Sequence, residues 1–288
     1  MTFGLVPPIL NRNPRFDPAP WEEKAGPDEL AQIARAADRL GYDFLSFPGH
    51  VAIPEAVAKE RGGVYWDQLS TMGFVAACTE HVRLAAYCVV IGYYHPLQIA
   101  KSYGTLDRLS NGRVIITIGV GSLKEEFDLL GRPFEDRGER ADDAIRALRA
   151  SLSTRTPSYH GAFHAYEGWI LEPHAVQERV PIWIAGRTLR SLRRATELGD
   201  GWCPFGMTLD ELVPLLDKRR TEIEERGDGF DLVLAPEPPL DPSGHPDEAT
   251  DAVRAYEAAG ATKLNLRFRH ESLQHYLDQL EAMAKLSS

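Results

Sequence analysis

His50 is the residue of this sequence best suited to move a proton. An imidazole can both donate and accept a proton, and His50 follows a short run read as a strand, Tyr42 to Phe47. Gly119-Val120-Gly121 ends another such run, Val114 to Ile118. Small residues there let a second backbone or a flat ligand come close. Gly186-Arg187-Thr188 lies between Val180-Ile184 and the helical pattern Leu189 to Leu198. The exposed amides of a helix start attract a phosphate, and an arginine and a hydroxyl add donors. The same residues also read as an ordinary N-cap with a solvated arginine, Arg190 and Arg194 then belonging to a solvated face. Glu125-Glu126 is a carboxylate pair that could do acid/base work; we read it as the acid-enriched first turn of a helix. His160, His164 and His174 with Glu167 and Glu172 match no metal-site spacing, so no metal is expected. No base lies near Cys88 in the sequence, which makes it a pocket-wall residue and not a nucleophile.

These residues need elements to place them. Buried strands are expected at Thr2-Val6, Tyr42-Phe47, Arg83-Val90, Val114-Ile118, Val180-Ile184, Gly201-Pro204, Leu232-Ala235 and Leu264-Phe268. Val114-Ile118 lacks the polar alternation of a half-exposed sheet, as parallel strands covered on both faces do. Helical stripes lie between them. Pro27 opens one that Gly41 closes, His95-Pro96 opens another before Ile99, Tyr103 and Leu106, and Asn111-Gly112 turns the chain after it. Further helices are expected at Trp66-Glu80, Arg137-Leu152, Asp247-Ala259 and Ser272-Lys285, with Thr208 and Glu211 capping one that Pro214 delays or kinks. Eight strands alternating with helices predict an α/β fold, a (β/α)8 TIM barrel, as one domain over residues 1–288. Extended loops are expected at its C-terminal face: Pro48 to Tyr65, the residues after Gly121, and Ser153 to Arg179, which must cross over from the opposite end.

Hydrophobic content of 43% is ample for a core, and the net charge of -10 argues against a nucleic-acid or anionic-membrane partner. No run of about 18 apolar residues predicts a membrane span. The start lacks the pattern of a signal peptide, and three separated cysteines suit a reduced cytoplasmic chain.

The chain resembles the luciferase-like monooxygenase superfamily, closest to its coenzyme F420 (deazaflavin) branch. The likeness runs over Gly49-His50-Val51-Ala52-Ile53-Pro54, Val82 to Val89, His95-Pro96 with Ala100-Lys101, and Leu106 to Arg113. It continues through Gly119-Val120-Gly121, Glu125-Glu126-Phe127, Gly131, Pro181 to Gly186 and Gly199-Asp200-Gly201-Trp202. The resemblance implies a (β/α)8 barrel, a cofactor ring supported by a cis peptide at Tyr87-Cys88 beside Ala86, and a phosphate at Ala185-Gly186-Arg187-Thr188. It implies hydride transfer between F420 and a small organic substrate, His50 as proton donor or acceptor, and a homodimer. The alternative is an FMN-dependent monooxygenase that uses oxygen and a separate reductase. A third reading is a cofactor-less barrel acting as a binding protein, supported by an edge about two residues shorter after Gly121. Gly49 stands where the family commonly has an acid, which removes one orienting partner for His50.

Overall fold

The computed structural model describes residues 1–286. Its strands are β1 (Thr2–Leu5), β2 (Phe44–Phe47), β3 (Arg83–Val90), β4 (Val114–Gly119), β5 (Tyr159–His160), β6 (Ala165–Tyr166), β7 (Ile182–Ala185), β8 (Gly201–Cys203), β9 (Asp231–Leu234) and β10 (Lys263–Leu266). Apart from the small antiparallel hairpin β5-β6, they form one closed parallel barrel in the order β1-β2-β3-β4-β7-β8-β9-β10. The helices are α1 (Pro27–Arg39), α2 (Ala58–Arg61), α3 (Gln68–Cys78), α4 (Pro96–Leu109), α5 (Lys124–Leu129) and α6 (Arg137–Ser151). They continue with α7 (Leu189–Leu198), α8 (Leu209–Asp217), α9 (Arg220–Arg226), α10 (Pro246–Ala258) and α11 (Leu273–Leu286). The fold is the expected (β/α)8 barrel.

Side chains fill the barrel. Phe44, Ala85, Ile115, Trp183, Cys203 and Val233 pack together inside it, with Tyr87 against them. The Phe44 ring meets Trp183 edge-on at 5.2 Å between centroids. It occupies the place a side chain at Gly4 would need, 2.4 Å from a Cβ there, so a larger residue on β1 would displace the ring. At the lower end Lys263 Nζ closes the floor, 2.7 Å from Asp43 and 3.7 Å from Asp231.

The stretch from Leu106 to Arg113 is a latch. Asn111 and Gly112 both take positive φ, 55° and 80°, to turn α4 into β4. Buried Arg113 donates to the carbonyls of Ala76, Thr79, Val82 and Ser110. Asp107, fully buried, accepts from the amides of Val176 and Gln177 at 2.8 and 3.0 Å. A charge so placed is tolerated because its hydrogen bonds are supplied.

Several sequence expectations shift. The loop from Pro48 to Tyr65 contains the single turn α2, and the irregular stretch from Ser153 to Arg179 contains the hairpin β5-β6. Asp143 on α6 pins that hairpin, accepting from Tyr159 Oη, the amides of Ala162, Phe163 and His164, and His164 Nδ1. The His164 ring reaches His95 at the start of α4, so the segment does climb to the C-terminal rim. Pro214 does not delay α8, which begins at Leu209. The helix instead ends three residues past it, and a separate α9 follows.

Candidate active site

His50 follows β2 at the barrel mouth. The loop carrying it is tied down by Gln68, which donates to the Phe47 carbonyl and accepts from Tyr103 Oη at 2.7 Å. Its Nδ1 lies 2.9 Å from Oε2 of Glu126 on α5. The same Oε2 accepts from Tyr93 Oη at 2.8 Å, and Oε1 accepts from the Val51 amide at 2.6 Å. The other face of the imidazole is covered edge-on by Tyr65. Glu126 is 1% exposed. Burial pushes its carboxyl up, but the hydrogen bonds from His50, Tyr93 and Val51 overcome this and hold it below the ordinary carboxylate range. Burial and the neighbouring Glu126 charge push the Tyr93 phenol up, so it stays a donor.

Packing around Phe127 explains why Glu126 faces inward. Phe127, fully buried, meets Tyr93 at 4.7 Å and Phe134 at 5.3 Å, which seats α5 against the start of α4. Glu126 is therefore not a solvated first-turn acid, as its position in a helix start suggests. The loss of an acid at Gly49 does not leave His50 unsupported either, because the carboxylate arrives from another element.

Beside this pair, β3 carries a cis peptide between Tyr87 and Cys88, at a shift in register against β4. Ala86 is buried and pairs with Ile116. Burial pushes the Cys88 thiol up to about 11, which suits a wall and not a nucleophile. Gly119 faces Cys88: a Cβ there would stand 2.6 Å from Sγ. Half-buried Val120 follows. Gly121 has φ +80°, and a Cβ there would strike Phe127 and Val90 at 2.5 and 2.8 Å. The room left by both glycines is thus used by the protein's own side chains.

Ala185 is buried at the end of β7. Gly186 follows at φ +145°, with Ser191 where its Cβ would be. Thr188 is the N-cap of α7, its hydroxyl accepting from the Ser191 amide at 3.2 Å. Arg187 is exposed and lies over the Phe205 ring at 5.5 Å. Arg194 is no part of a solvated face: it is 5% exposed and bonded to Asp142 and the Gly138 carbonyl. The cap and the phosphate reading are compatible, since the cap occupies the Thr188 hydroxyl and leaves Arg187 and the first-turn amides.

A cleft of about 340 Å³, open to solvent, lies in the mouth between Tyr87, Phe205, Asn265 and Arg267. The expected residues therefore adjoin one barrel mouth: His50 on the β2 side, Tyr87-Cys88 and Gly119 at its centre, and Ala185 to Thr188 beyond. The histidines of the 153–179 segment do not converge. His164 pairs with Asp143, His160 with Glu167 and His174 with Glu172. Among the described residues no group of three or more His, Cys, Asp or Glu is placed to hold a metal. Also among the described residues, no helix is long and apolar enough to cross a membrane.

Sequence reasoning misses Glu126 as the partner of His50, and it misses Tyr93 and Arg267 altogether. For Glu126 a signal exists, since Glu125-Glu126-Phe127 belongs to the resemblance. Tyr93 and Arg267 stand in stretches with no chemical pattern of their own.

An uncharacterised protein of Mycobacterium tuberculosis is 28% identical over 207 residues, 68% of this chain and 71% of that protein. An FMNH(2)-dependent dimethylsulfone monooxygenase of Pseudomonas putida is 26% identical over 69% of this chain and 54% of its own length. An F420-dependent glucose-6-phosphate dehydrogenase of Intrasporangium calvum is 25% identical over 74% of this chain and 65% of its own. Among solved structures, monooxygenase RslO1 from Streptomyces bottropensis superposes with a TM-score of 0.78 at 20% identity, covering 99% of this chain and 98% of that one. Coenzyme F420 dependent tetrahydromethanopterin reductase from Methanopyrus kandleri does so with a TM-score of 0.73 at 15% identity, over 99% and 97%. These two likenesses concern the fold. The family model for luciferase-like monooxygenases matches residues 1–287, and the chain belongs to that family.

Proposed function

We propose that this chain transfers a hydride between coenzyme F420 and a small organic substrate, with His50 giving or taking the accompanying proton. The His50–Glu126 pair carries the reading. An ionised carboxylate only accepts, so the Nδ1 it holds bears the hydrogen, and Nε2 is left as the working nitrogen. Glu126 fixes the ring, Tyr93 and the Val51 amide fix Glu126, and Tyr65 shields one face. This is the arrangement of a proton-transfer group with an orienting partner.

The deazaflavin, when bound, supplies a carbon that gives or accepts a hydride. Ala86, Tyr87 and Cys88 would support its ring, and Gly119, Val120 and Gly121 would border it. Ala185, Gly186, Arg187 and Thr188 would hold its phosphate. The residues present fit such a group. Arg187 is an exposed cation with an aromatic ring for a neighbour, beside the open first turn of a ten-residue helix. A cytoplasmic homodimer without nucleic-acid or membrane partners belongs to the same proposal.

The Pseudomonas putida relative favours a second reading, an FMN-dependent monooxygenase with a separate reductase. Titration of the purified protein with F420 and with FMN, followed by fluorescence, separates the two. Saturable binding of F420 alone is the expected result. Preference for FMN, with oxygen uptake when reduced flavin is supplied, would replace the hydride-transfer reading by the second one.

A further inference from the structure

Strand β10 and the residue after it send three polar side chains to the barrel interior at alternate positions. Lys263 is neutralised by Asp43 at the floor, and Asn265 accepts from Ser46 Oγ at 2.9 Å in the middle. The third, Arg267, stands at the mouth. Its guanidinium lies over the Phe16 ring at 3.9 Å and, among the described residues, makes no hydrogen bond or ion pair. Glu237, the nearby carboxylate that could neutralise it, is engaged by Arg15. A half-buried guanidinium with five donors and no acceptor is an unmet demand for an anion.

Arg267 is a wall shared by two adjoining clefts. One is the mouth cleft beside Tyr87, and the other, also open to solvent, lies beneath the N-terminal turns. Asn11 lines the second cleft. It is 8% exposed, and its Oδ1 has no hydrogen-bond partner. One cleft is thus lined by an unpaired cation and by Asn11, whose Oδ1 is an unpaired acceptor buried just behind the cleft surface. Glu22 and His270 complete its wall, with His270 Nε2 3.6 Å from Glu22 Oε1. Burial pushes the Glu22 carboxyl up to about 7, so below neutrality it is mostly protonated and does not oppose an anion.

We propose that Arg267 and Asn11 form a subsite for a small hydroxylated anion, its carboxylate or phosphate on the Arg267 guanidinium and a hydroxyl donating to Asn11 Oδ1. As a statement of substrate class this rests on the oxidoreductase reading; as a statement of binding it does not. The subsite adjoins the mouth cleft through Arg267 itself, so a molecule anchored there extends toward Tyr87.

Calorimetric titration of the cofactor-free protein with glycerate, glycerol 3-phosphate and uncharged glycerol tests it. Saturable binding of at least one of the two anions, and not of glycerol, is expected, and the anion that binds tells carboxylate from phosphate. Arg267→Gln should weaken that binding about tenfold or more, Arg267→Lys less, and Asn11→Leu by several-fold. Circular dichroism checks that each variant is folded, and the lysine variant keeps the test intact should the glutamine one not fold. Failure of both anions to bind, glycerol binding equally well, or binding unchanged in a folded Arg267 variant would overturn the subsite. Because this titration uses no cofactor, failure to bind F420 or FMN would sink the function reading and leave its result standing.

Discussion

His50 Nδ1 and Glu126 Oε2 meet at 2.9 Å across 76 positions of sequence. The contact joins the loop after β2 to the short helix after β4, two neighbours of β3 around the barrel. The histidine is therefore oriented by a carboxylate whose place depends on a hydrophobic residue, Phe127, next to it in the chain.

Replacing His50 by Ala removes the proposed proton-transfer group and leaves the proposed cofactor edge in place. Turnover should fall by about 10²–10⁴-fold while cofactor affinity changes little. Steady-state rates beside a fluorescence titration of the cofactor check this. Unchanged turnover would remove His50 from the chemistry.

Glu126→Gln leaves Tyr93 and His50 facing an amide in place of a carboxylate. At pH 7 it should cost about 2–4 kcal/mol of stability, read by urea unfolding. The folded carboxyl is held below its ordinary value, so its stabilisation is present above about 4.5 and is lost as pH falls through the lowered folded value. The gap between wild type and variant should accordingly shrink in acid. A gap constant down to pH 3 would contradict the assignment.

Glu22 has the opposite sign. Its carboxyl is raised from 4.5 to about 7, chiefly by burial, so the folded state binds the extra proton. Stability should fall as pH rises from 4.5 to 7, by on the order of 3 kcal/mol in total. Glu22→Gln should then be stabilising at pH 8 and neutral near pH 4. Thermal melts at the two pH values decide it, and a variant less stable than wild type at pH 8 would refute the reading.

Two glycines with positive φ separate backbone strain from steric clash. Gly131, at φ +63°, has nothing within 4 Å of the place a Cβ would take, whereas Gly121, at φ +80°, has Phe127 and Val90 within 3 Å of it. Alanine at 131 should cost about 1 kcal/mol. Alanine at 121 should cost about 2–4 kcal/mol, because Phe127 must also move. Equal costs in urea unfolding would mean that Phe127 yields freely.

The eight barrel strands are legible in the sequence because short, mainly apolar segments recur between helical stripes, although Asp43, Ser46, Asn265 and Arg267 interrupt some of them. Their ends are less so: Tyr42 and Val180 are apolar but lie outside the strands, and Phe268 makes only an isolated bridge to Leu240. Helix α9 is hidden because Arg220–Arg226 carries no apolar stripe. At the site, His50 and the turn into α7 can be placed from the residues, and the Tyr87-Cys88 bond from the family resemblance alone. The partnership of His50 with Glu126 cannot, because burial of a helix-start acid is decided by tertiary packing and has no local pattern. Arg267 is invisible for the same reason, since an arginine within the expected strand Leu264-Phe268 shows no missing partner until the packing around it is seen.

The barrel closes where β1 pairs with β10, Thr2 against Lys263 through Leu5 against Leu266. Partners 261 positions apart cannot meet while the ribosome is still making the strands between them. Until β10 emerges, β1 waits with one edge unsatisfied. A nascent chain stalled before Lys263 would expose two open edges, at β1 and at β9. Both edges are closed in one step, when the last barrel strand docks between β9 and β1.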